Sequence, residues 1–276
     1  MKELFAEDSP FLREETRKTR WAIPYDHECL NARAEILLGR NDDALSDKTV
    51  LDAGAHMGTM AYAALQKGAR FVHAVDVEEA TVERGLKLFS EVGVESWRYR
   101  FEAANLADWL ERVSEKSFDT ALCFGVLYYV SEPFAILKAL KRAVRETILL
   151  DTFTASYAMV QGKEAGRLYD SISDAALEQP LMLYALTRPQ KKDYRLPETF
   201  VQDQRELSVT SFPTCALLEL WFEALELDWE RLDWSDHILR PCHFSDLESP
   251  EQKRASHWAD VYASGMRVAY RLRLRG

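Results

Sequence analysis

The 276-residue chain lacks several features that would place it in other protein classes. Its longest apolar run, residues 121–130, is about half of the roughly 20 residues that cross a bilayer, which argues against a membrane span. The first residues carry acids where a signal peptide needs an apolar core, so export is not expected. The four cysteines form no C-x-x-C pair, which predicts neither a disulfide framework nor a metal site and fits a reducing cytoplasm.

Basic residues are in the minority, since 35 Lys and Arg stand against 45 Asp and Glu, for a net charge of −10. Nucleic acid is bound mainly through Lys and Arg on phosphates, so this balance disfavours a nucleic-acid partner. The end of the chain is nevertheless crowded with arginine. We predict that these arginines occupy alternate, outward-facing positions on a last strand rather than forming a binding patch, and they are Arg267, Arg271, Arg273 and Arg275.

Short apolar runs alternate with helical segments through the first half of the chain. Residues 1–46 are predicted to be helical, with Asp26 capping a helix that stops at Gly39. The alternation that follows predicts a parallel sheet covered by helices on both faces. The predicted strands are residues 49–51, 71–75, 97–103, 120–124 and 147–150.

The alternation breaks after residue 150. Residues 153–206 show no strand periodicity and are interpreted as an insertion, and residues 235–263 as a second one. We therefore expect one domain, residues 47–276, behind a helical extension, residues 1–46. The elements predicted around the insertions are a helix at 214–225 and strands at 227–232 and 266–274.

A glycine turn follows the first predicted strand. Gly54 and Gly58 lie between this strand and a helix, where free backbone N–H groups can meet a ligand. The G-x-G-x-x-G of dinucleotide folds is absent, and Asp52 precedes the turn, where a carboxylate would repel a pyrophosphate but suit a cation. S-adenosylmethionine is a ligand of this kind, since it carries a sulfonium and an ammonium group.

Asp76 ends the second predicted strand, where an acid can accept hydrogen bonds from both hydroxyls of a ribose. It could instead simply cap the helix that starts at Val77.

Three segments resemble motifs of the class I S-adenosylmethionine-dependent methyltransferases. Residues 50–58 (Val-Leu-Asp-Ala-Gly-Ala-His-Met-Gly) are similar to the first motif of that family, residues 75–76 to the second, and residues 118–129 to the fourth-strand motif. The resemblance covers residues 47–152 well and residues 207–274 more loosely. It implies S-adenosylmethionine as cofactor and a Rossmann-like α/β fold with a seven-stranded sheet, mostly parallel with one antiparallel strand, and helices on both faces.

The resemblance also implies a donor-binding set. Asp52 would orient the loop and the donor's ammonium group, and Asp76 would hold the ribose. His56 replaces the middle glycine of the family motif and is expected to contact the donor or pack the loop, with a catalytic role less favoured. Asn105 falls near the position that recognises adenine, and the carbonyl of Gly125 would accept from the ammonium group. The full set is Asp52, Gly54, His56, Gly58, Asp76, Asn105 and Gly125.

The acceptor is expected beyond the carboxyl ends of the fourth and fifth strands. Tyr128, His237 and His243 are the candidate catalytic residues, with a base required only if the acceptor must lose a proton. Any of the possible wall residues could instead pack in the core or face solvent. These residues are Tyr128, Tyr129, Tyr157, Tyr169, Tyr184, His237, Arg240 and His243.

Residues 125–128, 132–133 and 212–214 resemble the tRNA wobble-uridine carboxymethyltransferase family, whose members use a carboxylated donor on tRNA. The acidic charge favours a small-molecule acceptor instead. The predicted function is therefore methyl transfer to N or O of a small metabolite, in the cytoplasm and with a homodimer possible. A tRNA-modifying enzyme and a donor-binding protein without turnover are the alternatives.

Overall fold

A computed structural model describes residues 3–13, 26–158, 173–187, 199–237 and 260–275. Seven strands form the main sheet: β1 (Thr49–Ala53), β2 (Phe71–Asp76), β3 (Tyr99–Ala103), β4 (Phe118–Phe124), β5 (Val144–Phe153), β9 (Leu227–Arg231) and β10 (Arg267–Leu274). Three more strands form a small sheet: β6 (Met182–Thr187), β7 (Thr199–Gln202) and β8 (Arg205–Pro213).

Helices connect and cover these strands. They are α1 (Pro10–Arg13), α2 (His27–Leu37), α3 (Thr59–Gln66), α4 (Glu79–Glu91), α5 (Leu106–Arg112), α6 (Pro133–Ala143), α7 (Asp174–Leu177), α8 (Cys215–Ala224) and α9 (Asp260–Ala263). Short 3₁₀ turns span Gly39–Ala44, Ser96–Arg98, Leu127–Tyr129 and Ser235–His237. Within the described ranges, none of the helices combines the length and apolar character needed to cross a membrane.

The main sheet has the order β3-β2-β1-β4-β5-β10-β9. Neighbouring strands from β3 to β5 are parallel, while β10 runs antiparallel to both β5 and β9. Helical crossovers supply the long connections that parallel neighbours require. This arrangement confirms the predicted fold, a mostly parallel seven-stranded sheet with one antiparallel strand.

Each face of the main sheet carries its own apolar core. On one face, Leu37 of α2 and Ala61 of α3 pack in one cluster with Val72 and Leu149 of the sheet. On the other face, side chains of α5, α6 and α8 pack with strand residues such as Ala121. Because both faces are covered, β1 and β4 consist mostly of apolar residues, which is why the sequence analysis could predict them.

The N-terminal extension packs on the sheet through α2. Asp26 caps this helix as predicted, since its side-chain oxygen accepts a hydrogen bond from the N–H of Cys29 at 3.0 Å. Ile36 and Leu37 are completely buried. Residues 14–25 of the predicted helical segment lie outside the described residues.

The prediction that residues 153–206 contain no strands is wrong. Strands β6 and β7 lie there and pair antiparallel with β8, in the order β6-β8-β7. Between Leu207 and Thr210 of β8, the polar residues Ser208 and Thr210 are buried, whereas Leu207 and Val209 are only half-buried. The usual alternation is therefore inverted here, with polar side chains on the covered face.

The predicted outward positions of the last arginines are also partly wrong. Arg267 and Arg271 are buried, because β10 lies inside the sheet between β5 and β9 and the extension covers this face. Arg271 is hydrogen-bonded to Asp43 in the turn that follows α2. The side chains of Arg273 and Arg275 are exposed and pair with Glu230 and Asp228, respectively, on β9.

Candidate active site

The glycine turn after β1 has a shape that the protein's own packing requires. Gly54 and Gly58 have φ angles of +74° and +78°, in the left-handed region that favours glycine. A Cβ on Gly54 would lie 2.5 Å from Cβ of Val126, and one on Gly58 would lie 2.5 Å from Cζ of Phe101. Both glycines are therefore needed for close packing within the chain.

Hydrogen bonds tie this turn to the end of β2. The N–H groups of Gly54 and Ala55 both donate to the carbonyl of Val75 at 2.9 Å. The N–H of His56, a residue with φ of +51°, donates to Oδ2 of Asp76 at 2.7 Å. The structure thus brings the first and second motifs into direct contact.

The alternative interpretation of Asp76 as a helix cap holds only in part. Helix α4 begins at Glu79 with Glu78 as its N-cap, and Oδ1 of Asp76 accepts from the N–H of Glu78 at 3.1 Å. Burial raises the pKa of Asp76, although the hydrogen bonds from Glu78 and His56 oppose this shift. Asp76 therefore supports the turn on one side and the start of the helix on the other.

Asp52, near the carboxyl end of β1, combines a buried side chain with a strongly shifted pKa. Its side chain is buried, and Oδ2 has no hydrogen-bond partner. Burial, together with the negative charge of Asp76, raises the pKa of Asp52 from 3.8 to about 7. Because buried polar atoms are nearly always paired, an unpaired carboxylate oxygen indicates a place where a cationic group could bind.

Asn105 and Gly125 follow β3 and β4 at the same edge of the sheet. The side-chain oxygen of Asn105 caps α5 by accepting from the N–H groups of Ala107 at 3.0 Å and Asp108 at 3.4 Å. Gly125 has φ of +77°, and its N–H donates to the backbone carbonyl of Asp151 at 2.8 Å. The predicted donor residues thus lie along the carboxyl ends of four adjacent strands.

Aromatic side chains cluster beyond the ends of β4 and β5. The ring of Tyr128 lies 5.0 Å from that of Phe153 and 4.4 Å from that of Tyr129. Phe153 stacks on Tyr157 at 4.0 Å, and Phe212 of the small sheet stacks on Tyr128 at 6.2 Å. Three predicted wall residues, Tyr128, Tyr129 and Tyr157, are therefore brought together.

The other predicted acceptor residues lie elsewhere or outside the described residues. Tyr184 is exposed and donates to the carbonyl of Ser131 at 3.0 Å. Nε2 of His237 lies 3.0 Å from Oε2 of Glu35 on α2, which places this histidine against the N-terminal extension. The positions that the structure leaves undescribed are Tyr169, Arg240 and His243.

A cavity of about 330 Å³ lies at the adjoining ends of β9 and β10. Trp234 and Tyr262, whose rings stack at 3.6 Å, are among its lining residues. It also borders Arg267, whose guanidinium lies close to Gly125. The cavity therefore lies towards β9 and β10, and Asp52 is not among its lining residues.

The sequence analysis missed a buried ionic cluster at this edge. It consists of Asp151, Arg33, Arg267 and Tyr262. Asp151 directly follows the predicted strand 147–150, just as Asp76 follows its strand, so its position was a readable signal. Arg33 lies in a helix 118 residues earlier, and no local pattern connects it to Asp151.

Comparison with known proteins agrees with this geometry. Residues 50–147 match the family model described as a methyltransferase domain. The chain is 29% identical over 117 residues to the tRNA U34 carboxymethyltransferase of Helicobacter pylori, covering 42% of this chain and 44% of that protein. It is also 29% identical over 119 residues to the ubiquinone biosynthesis O-methyltransferase of Neisseria meningitidis, covering 43% and 48%. The matched region thus spans less than half the length of these curated relatives.

Solved structures share the fold across most of the chain. An S-adenosylmethionine-dependent methyltransferase from Mesorhizobium loti superposes with a TM-score of 0.52 at 14% identity, covering 88% of this chain and 99% of the other. The N-terminal domain of EvdMO1, crystallised with S-adenosylhomocysteine (SAH) and D-fucose, gives a TM-score of 0.53 at 18% identity, covering 88% and 83%. The resemblance to class I S-adenosylmethionine-dependent methyltransferases is therefore confirmed for the fold and for residues 50–147.

Proposed function

We propose that the protein is an S-adenosylmethionine-dependent methyltransferase that acts on N or O of a small-molecule acceptor. The observation that carries this proposal is the buried carboxylate of Asp52 beside the glycine turn, whose Oδ2 has no hydrogen-bond partner. Dinucleotides would place a pyrophosphate at such a turn, and a carboxylate would repel it. A donor that carries positive charge suits the same carboxylate, and the matching domain family is that of methyltransferases.

The residues at the edge of the sheet fit this donor. Asp52 would face its ammonium group, with the carbonyl of Gly125 accepting from the same group, and Asp76 would accept from the ribose hydroxyls. Asn105 would lie near the adenine. His56 would contact the donor or hold the loop, since its own N–H already bonds Asp76.

When bound, the donor supplies a methyl carbon activated by its sulfonium leaving group, which the acceptor atom attacks in line. The contribution of the chain is therefore alignment and exclusion of water. The aromatic cluster around Tyr128 and Phe153 provides an apolar wall where the acceptor could meet the donor. Of the two described candidates for handling an acceptor proton, Tyr128 lies in this cluster, whereas His237 lies against Glu35 of α2.

Charge and sequence relatives support a small acceptor. The chain carries a net charge of −10, and two of the four C-terminal arginines are buried in ion pairs with acids. These two arginines are not available to a phosphate backbone. The ubiquinone biosynthesis O-methyltransferase is one of the curated relatives, and its name describes chemistry on a small molecule.

A tRNA-modifying function is the second candidate. It is favoured by similarity to the tRNA U34 carboxymethyltransferase of Idiomarina loihiensis, 33% identical over 104 residues, covering 37% of this chain and 31% of that protein. Both functions would place an S-adenosylmethionine-type donor at the same edge of the sheet. They differ in the acceptor and in whether the donor is carboxylated. Residues 47–276 would in either case form the catalytic domain, with the insertions at about 153–206 and 235–263 contributing to the acceptor side.

The donor assignment can be tested at Asp76. We expect Asp76→Ala to weaken SAH binding about tenfold to a hundredfold, because charged hydrogen bonds contribute about 1.5 to 3 kcal/mol. Asp76→Asn, which keeps one acceptor oxygen for the backbone N–H groups, should show part of this loss. Titration calorimetry with SAH measures both variants.

The matched control is Asp228→Ala, which removes an exposed carboxylate on β9 that pairs with Arg275. This variant should bind SAH as the wild type does. Unchanged affinity in folded Asp76→Ala would refute the ribose assignment, and a wild-type protein that does not bind SAH would refute the proposed function.

A further inference from the structure

Arg33 in the N-terminal extension contacts the carboxyl end of β5 through its buried side chain. Nη2 of Arg33, on α2, donates to Oδ2 of Asp151 at 2.7 Å, and both side chains are almost completely buried. Arg267 donates to the same carboxylate twice, from Nε to Oδ1 and from Nη2 to Oδ2, each at 2.7 Å. The hydroxyl of Tyr262 adds a hydrogen bond to Oδ1 at 3.1 Å.

Stability alone is a weak reason for such a cluster. Taking charges out of water is costly, and replacing buried ion pairs by apolar side chains is often neutral or stabilising. Burial by itself would raise the pKa of Asp151, but the positive charges of Arg267 and Arg33 outweigh it and hold this pKa below its ordinary value. The cluster therefore stays ionised and holds its members in fixed geometry, since paired guanidinium–carboxylate contacts are directional.

The fixed groups touch the turn that follows β4. The backbone carbonyl of Asp151 accepts from the N–H of Gly125 at 2.8 Å. A Cβ on Gly125 would lie 3.3 Å both from Nη2 of Arg267 and from the hydroxyl oxygen of Tyr128. The guanidinium carbon of Arg267 also lies 4.5 Å from the ring centre of Phe153, which packs on Tyr128.

We infer that Arg33 is a positioning residue which, through Asp151 and Arg267, fixes the turn of residues 125–129 between the donor edge and the aromatic cluster. The N-terminal extension is then part of the site and not only a cover for the sheet. This inference rests on the proposed function, because it assigns the fixed turn to donor binding. If Arg33 has this role, its side chain affects the affinity for SAH and not only the stability of the fold, although Arg33 lies outside the sequence motifs.

Arg33→Lys and Arg267→Lys test this inference, because lysine keeps the charge but loses the planar guanidinium geometry. We expect both folded variants to bind SAH about tenfold more weakly than the wild type, by calorimetry well below their melting temperatures. Arg40→Lys is the matched control, since Arg40 also belongs to the extension but pairs with Asp236 near the surface at 2.6 Å. It should bind SAH normally.

Tyr262→Phe is the milder variant that decides the outcome if the lysine variants do not fold. It removes one hydrogen bond to Asp151, leaves the charges in place, and should weaken SAH binding about threefold. Wild-type affinity in the folded variants would overturn the positioning role, even if their melting temperatures fell. That result differs from failure of the proposed function, in which the wild type itself does not bind SAH.

Discussion

At the scale of single residues, Asp52 is the acid whose ionisation links the site to folding. Its pKa is raised from 3.8 to about 7 by burial and by the charge of Asp76. The folded protein therefore holds the proton more tightly than the unfolded chain. The stabilisation from this proton is fully present below pH about 4 and is lost as the pH rises through about 7.

We accordingly predict that Asp52→Asn is more stable than the wild type at about pH 8, by roughly 4 kcal/mol at most, and that the difference shrinks towards pH 5. Urea unfolding over this pH range measures both proteins, with Asp228→Asn, which changes an exposed carboxylate, as the control. A difference between wild type and Asp52→Asn that stays constant with pH would contradict the assigned ionisation.

The glycine turn offers a second test at this scale. Gly54 and Gly93 both have positive φ angles, +74° and +72°, but only a Cβ on Gly54 would collide with a neighbour. Gly93→Ala should therefore cost about 1 kcal/mol of unfolding free energy from backbone strain alone. Gly54→Ala should cost about 1 to 3 kcal/mol more, because it also overpacks against Val126. Equal losses in denaturant unfolding would show that the crowding at Gly54 has no effect.

At the scale of elements, the sequence analysis predicted the main sheet and missed the small one. Strands β1 and β4 are buried on both faces, so they are mostly apolar and stand out from their surroundings. In β8, between Leu207 and Ser211, the buried positions are the polar residues Ser208, Thr210 and Ser211. The hydroxyl of Ser211 donates to the carbonyl of Val130 at 2.7 Å, so burial in this strand is accompanied by hydrogen bonds that hydrophobic patterning does not reveal.

Phe212 is one of the residues through which the small sheet contacts the main domain. This residue is buried and stacks on Tyr128, whereas Phe200 on β7 is exposed. Phe212→Ala should lower the free energy of unfolding by about 3 to 5 kcal/mol, because it leaves a cavity in the core. Phe200→Ala should change it by less than about 0.5 kcal/mol, as is usual for surface positions. If the two variants lose similar stability in urea, the described docking of the small sheet is incorrect.

At the scale of the whole molecule, the site residues that could not be predicted are those that meet only through contacts between distant parts of the sequence. Asp52, Gly54 and Asp76 lie at or next to the carboxyl ends of β1 and β2, so a local pattern identified them before any contact was known. Arg33 and Asp151 are 118 positions apart, and their contact arises only when α2 packs on the sheet. Arg267 was expected at the surface, but it is buried in the same ionic cluster because the extension packs over it.

Net charge and the buried arginines also bear on the acceptor at this scale. A polyanion would meet a chain of net charge −10, in which Arg267 and Arg271 are paired with Asp151 and Asp43. Binding through phosphates needs cations that face solvent. The net charge and the two buried arginines therefore support the proposed small acceptor over tRNA.

The central claim is tested most directly by following a labelled methyl group. The wild type and Asp76→Ala would be incubated with S-adenosylmethionine labelled in the methyl group and, in parallel, with its carboxylated form labelled at the same carbon. Each donor would be combined with the metabolite fraction and, separately, with the total tRNA of the source cells. We predict label in a small molecule with the wild type, strongly reduced in Asp76→Ala, and no label in tRNA. Label in tRNA, or no transfer by a wild-type protein that binds SAH, would contradict a small-molecule methyltransferase.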